Sequence, residues 1–440
     1  GLFTQLESSI HTFGQLNLTG FDYAVRNTGH RADGYQFTFF ETNLADASFL
    51  AMDLGGSTSS IEGYTGTDFS NVFTVFSGLA IGSAVRDARD GATINVGAGL
   101  YNEALTINRS LTLVGAGIED TVIYGGILTS GTLTDLGLSG FSVAGTANGS
   151  AVIYNTGSIT GLTVDNVRID GQDVAGRHGF IGGQIGGDIS ITNSQFLNIR
   201  GWAAFDTRSG AGGANDGTLI TSAVFSNNTL DNTAGHIAFR QQTGAGAYPD
   251  ITIANNTVTN VGDSTLSFGA IFKAFRAGTV DFTGNNISGI GISSWTPTGE
   301  ATYGAALMTR DVNTLNVIGN IFSDNNQVFA VEPGRALPTV TNFTGNTFTN
   351  NAYSIYLPGD VTGGGTINFG AGNDFVSGAN TVQHIVWRSA AGLDLTNVAF
   401  NGVLGSAMDM ATLFATENLI THGTDVAGAG LALVKADNVY

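Results

Sequence analysis

One degenerate phrase built around an asparagine recurs through most of this chain, and its spacing constrains the fold more than any other feature. The phrase has apolar residues at alternating positions on both sides of the Asn, and it returns at intervals of roughly 24 to 35 residues. Its asparagines are Asn166, Asn193, Asn228, Asn256, Asn286, Asn320, Asn346, Asn373 and Asn397. A drifting period of this size predicts stacked coils, in which short strands repeat and the loops between them vary in length.

The alternation inside each phrase places one side of a short strand in a shared core. Stacked coils bring equivalent residues above one another at about 4.8 Å, so the recurring Asn residues are predicted to form a structural ladder. Asn suits a repeated turn because it tolerates a left-handed φ and can bond to backbone groups. The Phe residues that follow it, such as Phe322, Phe348 and Phe375, are predicted to stack inside the coil.

Composition supports a strand-rich chain and narrows its partners. Charged residues make up only 12% of the 440 residues, 64 residues are glycine, and a hydrophobic content of 42% is enough for a long core. The net charge is −19, which disfavours nucleic acid because phosphate contacts need a basic surface. The absence of cysteine excludes disulfides and thiolate chemistry. No uninterrupted apolar run reaches about 18 residues, so no transmembrane segment is expected.

The first part of the chain differs from the rest. Residues 1–80 are rich in aromatic residues and lack the repeat, and they predict a separate β-rich cap or assembly region. Residues 81–440 predict the coiled region, which opens with a short amphipathic helix near residues 81–90. The chain begins with Gly1 and ends in a strand-like segment, so we expect self-association or further chain of the same polypeptide.

The segment after the predicted helix resembles a known family. Its pattern of glycines, alternating apolar residues and a Tyr-x-Glu sequence is similar to the first coils of right-handed parallel β-helix proteins of the pectate-lyase-like superfamily. The matching residues are Gly91, Thr93, Ile94, Val96, Gly99, Tyr101, Glu103, Ile107, Leu111, Thr112, Leu113 and Gly115. The resemblance implies an all-β fold, a right-handed parallel β-helix solenoid of about 11 to 13 coils over residues 81–440, with the helix capping one end.

Charged residues follow the apolar run of one strand in each coil. We predict that they form one polar column along the coil axis, although the chain has only 16 Lys and Arg residues. A basic column on an acidic protein favours a linear anionic polymer, such as a polysaccharide, or an acidic face of another subunit. The candidate ligand or subunit contacts are Arg208, Arg240, Lys273, Arg310 and Arg388.

No complete catalytic motif accompanies this column. The resemblance brings polysaccharide lyases, hydrolases, methylesterases and epimerases into consideration, but the methylesterase and epimerase motifs are missing. A hydrolase needs two carboxyl groups about 5 to 9.5 Å apart, and the available acids lie on different coils. If the chain is an enzyme, the candidate catalytic residues are Asp206, Arg240, Lys273, Arg310, Asp311 and Glu332.

Calcium is the one cofactor that the sequence suggests. Residues 369–375 resemble a single copy of the calcium-binding nonapeptide of RTX proteins, which makes Asp374 the candidate ligand. The start of the coiled region also resembles that of large exported bacterial RTX-type or surface-layer polypeptides, and the acidic surface favours calcium-assisted assembly. The six His residues are scattered without metal-binding spacing, so zinc is not expected.

Three functions stay open at this stage. The first is a non-catalytic protein of bacterial type, secreted or at the cell surface, acting as a surface-layer, filament or adhesin component. The second is a polysaccharide-active β-helix enzyme, a lyase or hydrolase that cleaves anionic glycans. The third is a host-binding protein that resembles a phage tailspike and would form a trimer.

Overall fold

The computed structural model describes residues 80–404 apart from short gaps, and it also gives the backbone of strands nearer each end. The gaps are residues 89, 209–217, 242–246, 262–269, 292–303, 333–334, 358–364, 382, 388–392 and 396. The chain divides into two compact units, Gly1–Ile169 and Asp170–Tyr440. The domain boundary near residue 80 and the number of coils stay predictions.

A short helix, α1 (Ile81–Asp87), belongs to the first unit, and a carboxylate from a later coil caps it. Glu103 Oε1 accepts a hydrogen bond from the Ile81 N–H at 2.7 Å, and Oε2 accepts one from the Gly82 N–H at 3.1 Å. These N–H groups have no partner inside a helix, and a negative charge at this end is favourable. Glu103 is one of the residues that carry the family resemblance, and here it ties the helix to the coil.

Strands of the first unit pair in parallel across successive coils. They are β1 (Leu2–Thr4), β2 (Ile10–Phe13), β3 (Val25–Asn27), β4 (Gln36–Phe39), β5 (Ser60–Glu62), β6 (Val72–Val75), β7 (Ala92–Val96), β8 (Gly99–Tyr101), β9 (Leu105–Ile107), β10 (Leu111–Gly115), β11 (Thr121–Tyr124), β12 (Ile127–Thr129), β13 (Thr132–Ala144), β14 (Ala151–Asn155) and β15 (Ser158–Asp170). β10 pairs with β7 and β13, β11 with β8 and β13, and β12 with β9 and β14. The chain therefore returns to the same strand positions, as a coil does.

The second unit repeats the same path with shorter strands. They are β16 (His178–Ile181), β17 (Gln184–Thr192), β18 (Gln195–Leu197), β19 (Ala203–Asp206), β20 (Ile220–Ser226), β21 (Thr229–Asp231), β22 (His236–Arg240), β23 (Asp250–Ala254), β24 (Thr257–Thr259), β25 (Ala270–Phe275), β26 (Thr279–Thr283), β27 (Asn286–Ser288), β28 (Ala305–Arg310), β29 (Thr314–Ile318), β30 (Ile321–Ser323), β31 (Gln327–Val331), β32 (Val340–Thr344), β33 (Thr347–Thr349), β34 (Tyr353–Leu357), β35 (Thr366–Phe369), β36 (Asn373–Val376), β37 (Gln383–Trp387), β38 (Leu393–Asp394), β39 (Val398–Phe400), β40 (Val403–Leu404), β41 (Ile420–His422), β42 (Leu433–Lys435) and β43 (Asn438–Val439).

Three columns of parallel strands contain most of the strands of this unit. Sheet A contains β16, β19, β22, β25, β28, β31, β34 and β37. Sheet B contains β17, β20, β23, β26, β29, β32 and β35. Sheet C contains β18, β21, β24, β27, β30, β33, β36 and β39. One coil thus contributes one strand to each sheet.

The predicted stack of phenylalanines is present on the inner side of sheet C. Phe322 and Phe348 have ring centroids 5.3 Å apart, Phe348 and Phe375 are 4.4 Å apart, and Phe375 and Phe400 are 5.5 Å apart. The rings are nearly parallel and fully buried. Such pairs contribute about 0.5 to 1.5 kcal/mol each beyond the burial of their area.

A ladder of buried asparagines lines the corner between sheets B and C. At each step one Asn donates both its backbone N–H and its Nδ2 to the Oδ1 of the Asn one coil further on, as Asn320 does to Asn346 at 2.9 Å. Asn320 Nδ2 also donates to the Phe282 carbonyl oxygen at 2.8 Å. The ladder members are Asn228, Asn256, Asn285, Asn320, Asn346 and Asn373.

Four asparagines of the recurring phrase lie outside this ladder. Asn286 is exposed at the start of β27, and its neighbour Asn285 is the ladder member. Asn166 and Asn193 are exposed with φ values of 53° and 52°, so they occupy a left-handed turn position. Asn397 is exposed in the turn before β39. For Asn166 and Asn193 the physical reason is that the corner has an exposed left-handed position directly before the buried one, and Asn286 lies directly after the buried one.

These parallel columns define a parallel β-helix. The all-β parallel solenoid predicted from the sequence is confirmed by this strand pairing. Within the described part of the chain, no helix has the length and apolar character needed to cross a membrane.

Candidate functional site

Two of the charged residues singled out in the sequence share one column on sheet A. Parallel pairing sets Asp206 beside Ala238 and Ala238 beside Lys273. Side chains alternate along a strand, so this column lies on the opposite face from Phe239 and Phe272, which pack against core phenylalanines. Lys273 and Asp206 therefore face the same way from strands separated by one coil.

Arg240, Arg310 and Glu332 occupy a neighbouring column on the same face. Arg240 pairs with Phe275, and Phe275 pairs with Arg310. Glu332 follows β31, where its backbone N–H donates to the Thr309 carbonyl oxygen at 3.0 Å. The residues aligned as one column in the sequence therefore belong to two columns, two residues apart along the strands.

Asp206 is the centre of a buried group of polar side chains. Its Oδ2 lies 2.8 Å from His236 Nε2, and its Oδ1 accepts from Arg240 Nε at 3.0 Å. The backbone N–H of Arg208 donates to the same Oδ1 at 2.8 Å. Burial alone would raise the pKa of Asp206, but the charge of Arg240 and the hydrogen bond from His236 lower it well below its usual range. Asp206 is therefore an ionised carboxylate.

His236 joins this carboxylate to Lys273. Its Nδ1 lies 3.4 Å from Lys273 Nζ, while its Nε2 contacts Asp206. Burial and the nearby charge of Lys273 lower the pKa of His236 to about 3, so the ring is neutral at neutral pH. A neutral imidazole beside an ionised carboxylate carries its proton on the facing nitrogen, here Nε2. The lone pair of Nδ1 then faces the amine.

Lys273 is one of two lysines in the whole chain, the other being Lys435. Its side chain is only 3% exposed. Burial first, and then the charge of Arg240, lowers the pKa of Lys273 well below its usual value. A lowered pKa makes the ammonium group lose its proton more readily, and the neutral amine is the form that can act as a base. We call Asp206, Arg208, His236, Arg240 and Lys273 the Lys273 cluster.

A second charged group continues the same face. Arg310 Nη1 lies 3.2 Å from Glu332 Oε2, and its Nε lies 3.6 Å from Asp311 Oδ2. Arg335 Nε lies 3.6 Å from Glu332 Oε2. Arg310 is buried, whereas the other three are partly exposed. We call Arg310, Asp311, Glu332 and Arg335 the Arg310 cluster.

Aromatic rings connect and border the two clusters. The guanidinium of Arg240 lies 4.8 Å from the centroid of the Phe275 ring, and that of Arg310 lies 5.5 Å from it. At the other end, Arg208 lies 4.4 Å from the Trp202 ring centroid. A cation over an aromatic face is favoured by about 0.5 to 2 kcal/mol. Phe275 therefore separates two like charges while attracting both.

Among the residues that the structure describes, cations outnumber carboxylates around the two clusters. Six basic side chains and three carboxylates lie here, so the excess is three positive charges when Lys273 is protonated. The excess is two positive charges when Lys273 is neutral. The cations are Arg208, Arg240, Lys273, Arg276, Arg310 and Arg335, and the carboxylates are Asp206, Asp311 and Glu332. With a net charge of −19 for the chain, this local excess favours an anionic ligand.

Sequence reasoning missed His236 and Phe275 as members of the site. His236 was one of six scattered histidines without a motif, and its relation to Lys273 depends on the register of sheet A. Ala238 pairs with Lys273, and His236 lies two residues before Ala238 on the same strand. Because side chains alternate along a strand, His236 lies on the face that carries Lys273. Arg388 lies outside the described residues.

The calcium candidate Asp374 lies apart from the charged clusters. It is half-buried on β36, and its Oδ1 accepts a hydrogen bond from the Gly402 N–H at 3.1 Å. Among the residues that the structure describes, no group of three or more His, Asp or Glu side chains converges on a metal position. The calcium expectation stays a prediction.

Comparison with known proteins adds little beyond the fold. No family model matches the chain, and no curated protein matches it significantly. A solved structure of a PL6 family alginate lyase, AlyGC, is similar over 83% of this chain, with 13% sequence identity and a TM-score of 0.39. The match covers 53% of that protein, so this chain spans about half its length. The likeness assigns no residue of this chain a role.

Proposed function

We propose that this chain is a β-helix enzyme that cleaves an anionic polysaccharide by elimination. The observation that carries the proposal is the local excess of arginines around a buried lysine in a strongly acidic protein. Buried charges are costly to keep, and perturbed titratable groups concentrate at functional sites. A polymer of uronic acids supplies the carboxylates that such a site would bind. A secreted or cell-surface location is part of the same proposal.

The reaction uses groups from both the Lys273 cluster and the Arg310 cluster. The neutral amine of Lys273 takes the proton from the sugar carbon that bears the carboxylate. Arg240 and Arg310 neutralise that carboxylate, which lowers the energy of the negative charge developing beside it. The bond from the adjacent carbon to the glycosidic oxygen breaks, a carbon–carbon double bond forms, and the leaving oxygen takes a proton from water. The hydroxide left by that water takes the proton from the Lys273 ammonium, which restores the neutral amine.

Elimination fits the site better than hydrolysis. A glycoside hydrolase needs one carboxyl group that stays protonated and donates its proton to the leaving oxygen. Asp206 does not meet this requirement, because Arg240 and His236 lower its pKa and hold it ionised. Lys273, by contrast, has the lowered pKa that a general base needs.

The test is ultraviolet absorbance of the unsaturated sugar end formed from uronic-acid polymers. We expect wild-type activity to fall by at least about 100-fold in Lys273→Arg, because an arginine cannot act as a base at neutral pH. Lys435→Arg is the matched control and should keep its activity. Reducing ends without ultraviolet absorbance would replace elimination by hydrolysis, and no cleavage of any uronic-acid polymer would overturn the proposal.

A non-catalytic scaffold is the second candidate, and one observation favours it. Asp206, His236 and Arg240 are buried and bonded to one another, as members of a structural ion network also are. In that case the chain is a secreted or surface component that assembles with calcium. Electron microscopy in calcium and in EDTA tests this: sheets or fibres lost in EDTA would support it, and single rods in both conditions would contradict it.

A further inference from the structure

We propose that Asp206 and His236 are positioning residues, which orient the Lys273 amine as the base of the elimination. The inference rests on the proposed function, but its structural part can be measured without it. Neither residue needs to touch the substrate. Asp206 acts on His236, and His236 acts on Lys273.

The first step is the fixing of the His236 tautomer. The ring can carry its proton on either nitrogen, and the two forms are close in energy in water. Asp206 Oδ2 lies 2.8 Å from Nε2 and accepts a hydrogen bond from it. Because Asp206 is also held by Arg240 and by the Arg208 N–H, its carboxylate cannot turn away without losing those bonds. The proton is therefore held on Nε2.

The second step concerns the direction of the amine. With the proton on Nε2, Nδ1 can only accept a hydrogen bond, and it lies 3.4 Å from Lys273 Nζ. A neutral amine has two N–H groups and one lone pair. One N–H is directed toward Nδ1, so the lone pair points away from the histidine ring. A base oriented in this way loses less freedom when substrate binds.

The third step is the balance of charge around the amine. Arg240 on β22 and Arg208 after β19 disfavour the ammonium form, while Asp206 on β19 and Glu332 after β31 favour it. Neutral His236 adds no charge of its own. Since Arg240 bonds directly to Asp206, it offsets the carboxylate that would otherwise hold Lys273 protonated. Arg240 therefore both holds the Asp206 carboxylate in place and lowers the pKa of Lys273.

Nitrogen NMR of the wild-type protein tests the structural part. The chain has six histidines and two lysines, so selectively labelled samples give sparse spectra that single substitutions can assign. We expect His236 to carry its proton on Nε2 and to titrate only near its pKa of about 3. A His236 ring that is charged near neutral pH, or protonated on Nδ1, would overturn the proposal even if the protein is an active lyase.

Two variants of His236 test the effect on the reaction. His236→Leu removes the acceptor and should lower kcat by about 100-fold with little change in KM, since only the orientation of the base is lost. His236→Gln offers an amide oxygen to the amine and should recover part of the loss. Thermal unfolding of both variants separates misfolding from misorientation. Equal activity in wild type and a folded His236→Leu would refute the positioning role.

Asp206→Asn adds a readout that a purely structural role would not move. Asp206 raises the pKa of Lys273, so its neutralisation should lower that pKa further. Because the neutral amine is the active form, the acidic limb of the kcat/KM profile should shift to lower pH. The Lys273 signal, observed in a Lys435→Arg background, should shift in the same direction. An unchanged pH profile and an unchanged Lys273 titration would contradict the inference, and an inactive wild type with the expected titrations would count against the lyase alone.

Discussion

At the residue scale, each corner between sheets B and C has two adjacent positions, which differ in backbone conformation and in the burial of the side chain. The first takes a left-handed φ, which is 55° at Asn255 and 62° at Gly284. The second carries the buried ladder side chain, as Asn256 and Asn285 do. Asn satisfies both positions, because it tolerates a left-handed φ and also bonds to backbone groups. The repeat therefore predicts a ladder but cannot assign each Asn to it, and Asn286 lies one residue past both corner positions, at the exposed start of β27.

The ladder makes a prediction about single asparagines. Asn320→Ala removes the bonds to Asn346 and Phe282 and leaves the Asn285 side chain without its acceptor. We expect the free energy of unfolding to fall by about 3 kcal/mol or more, because several buried polar groups lose their partners together. Urea unfolding followed by circular dichroism measures it. Asn286→Ala, one position outside the ladder, is the matched control.

The control should change the free energy of unfolding by no more than about 0.5 kcal/mol, as exposed substitutions usually do. An equal loss in both variants would mean that the buried bonds add nothing beyond a generic effect of removing Asn from this corner.

At the scale of the element, the sequence pattern predicts the strands of sheet A but not their register. Residues 260–269 separate β24 from β25, whereas only residues 324–326 separate β30 from β31. With connections of such different length, an alignment can shift by two residues and keep the same apolar pattern. This shift merged the columns of Lys273 and Arg240 into one. The same shift prevented the recognition of His236, because its contacts with Asp206 and Lys273 depend on the correct register between strands.

Phe275 on β25 is the element-scale test of how the two clusters are held together. Its ring attracts Arg240 on one neighbouring strand and Arg310 on the other. Phe275→Leu keeps an apolar side chain but loses both cation–π contacts, so we expect a loss of about 1 to 3 kcal/mol in the free energy of unfolding.

Met308→Leu provides the comparison, since Met308 is buried on the same face and the change conserves volume. It should cost less than about 1.5 kcal/mol. Denaturant midpoints of the two variants, measured side by side, decide the point. If Phe275→Leu lowers the free energy of unfolding no more than Met308→Leu does, the cation–π contacts of Arg240 and Arg310 with Phe275 do not stabilise the fold.

At the scale of the whole molecule, buried histidines link stability to pH. The pKa values of His178, His236 and His384 are lowered to about 4, about 3 and about 4, chiefly because burial disfavours the charged ring. A folded-state pKa below the unfolded value of about 6.5 means that the unfolded chain binds more protons in the window between them. Stability from this source is complete above about pH 6.5 and is lost as the pH falls toward the folded values.

We therefore expect the urea midpoint to decline steadily between about pH 6.5 and about pH 4. His384→Gln should make the decline shallower, because one titrating group is gone while an amide can still bond to the Ser377 hydroxyl. Asp206 acts in a lower window: its lowered pKa adds stability that is lost only as the pH falls below about 3.9. A variant with the full wild-type slope would show that His384 does not titrate on unfolding.

The asparagine ladder has a consequence for how chains of this type change length in evolution. Each ladder side chain needs only the corner before it and the corner after it, and every interior corner presents the same donors and acceptor. A duplicated or deleted coil therefore finds its partners already in place, whatever its position. Coil number becomes a freely variable trait, while a group such as Asp206, His236 and Lys273 is inherited only if its own three coils stay in order.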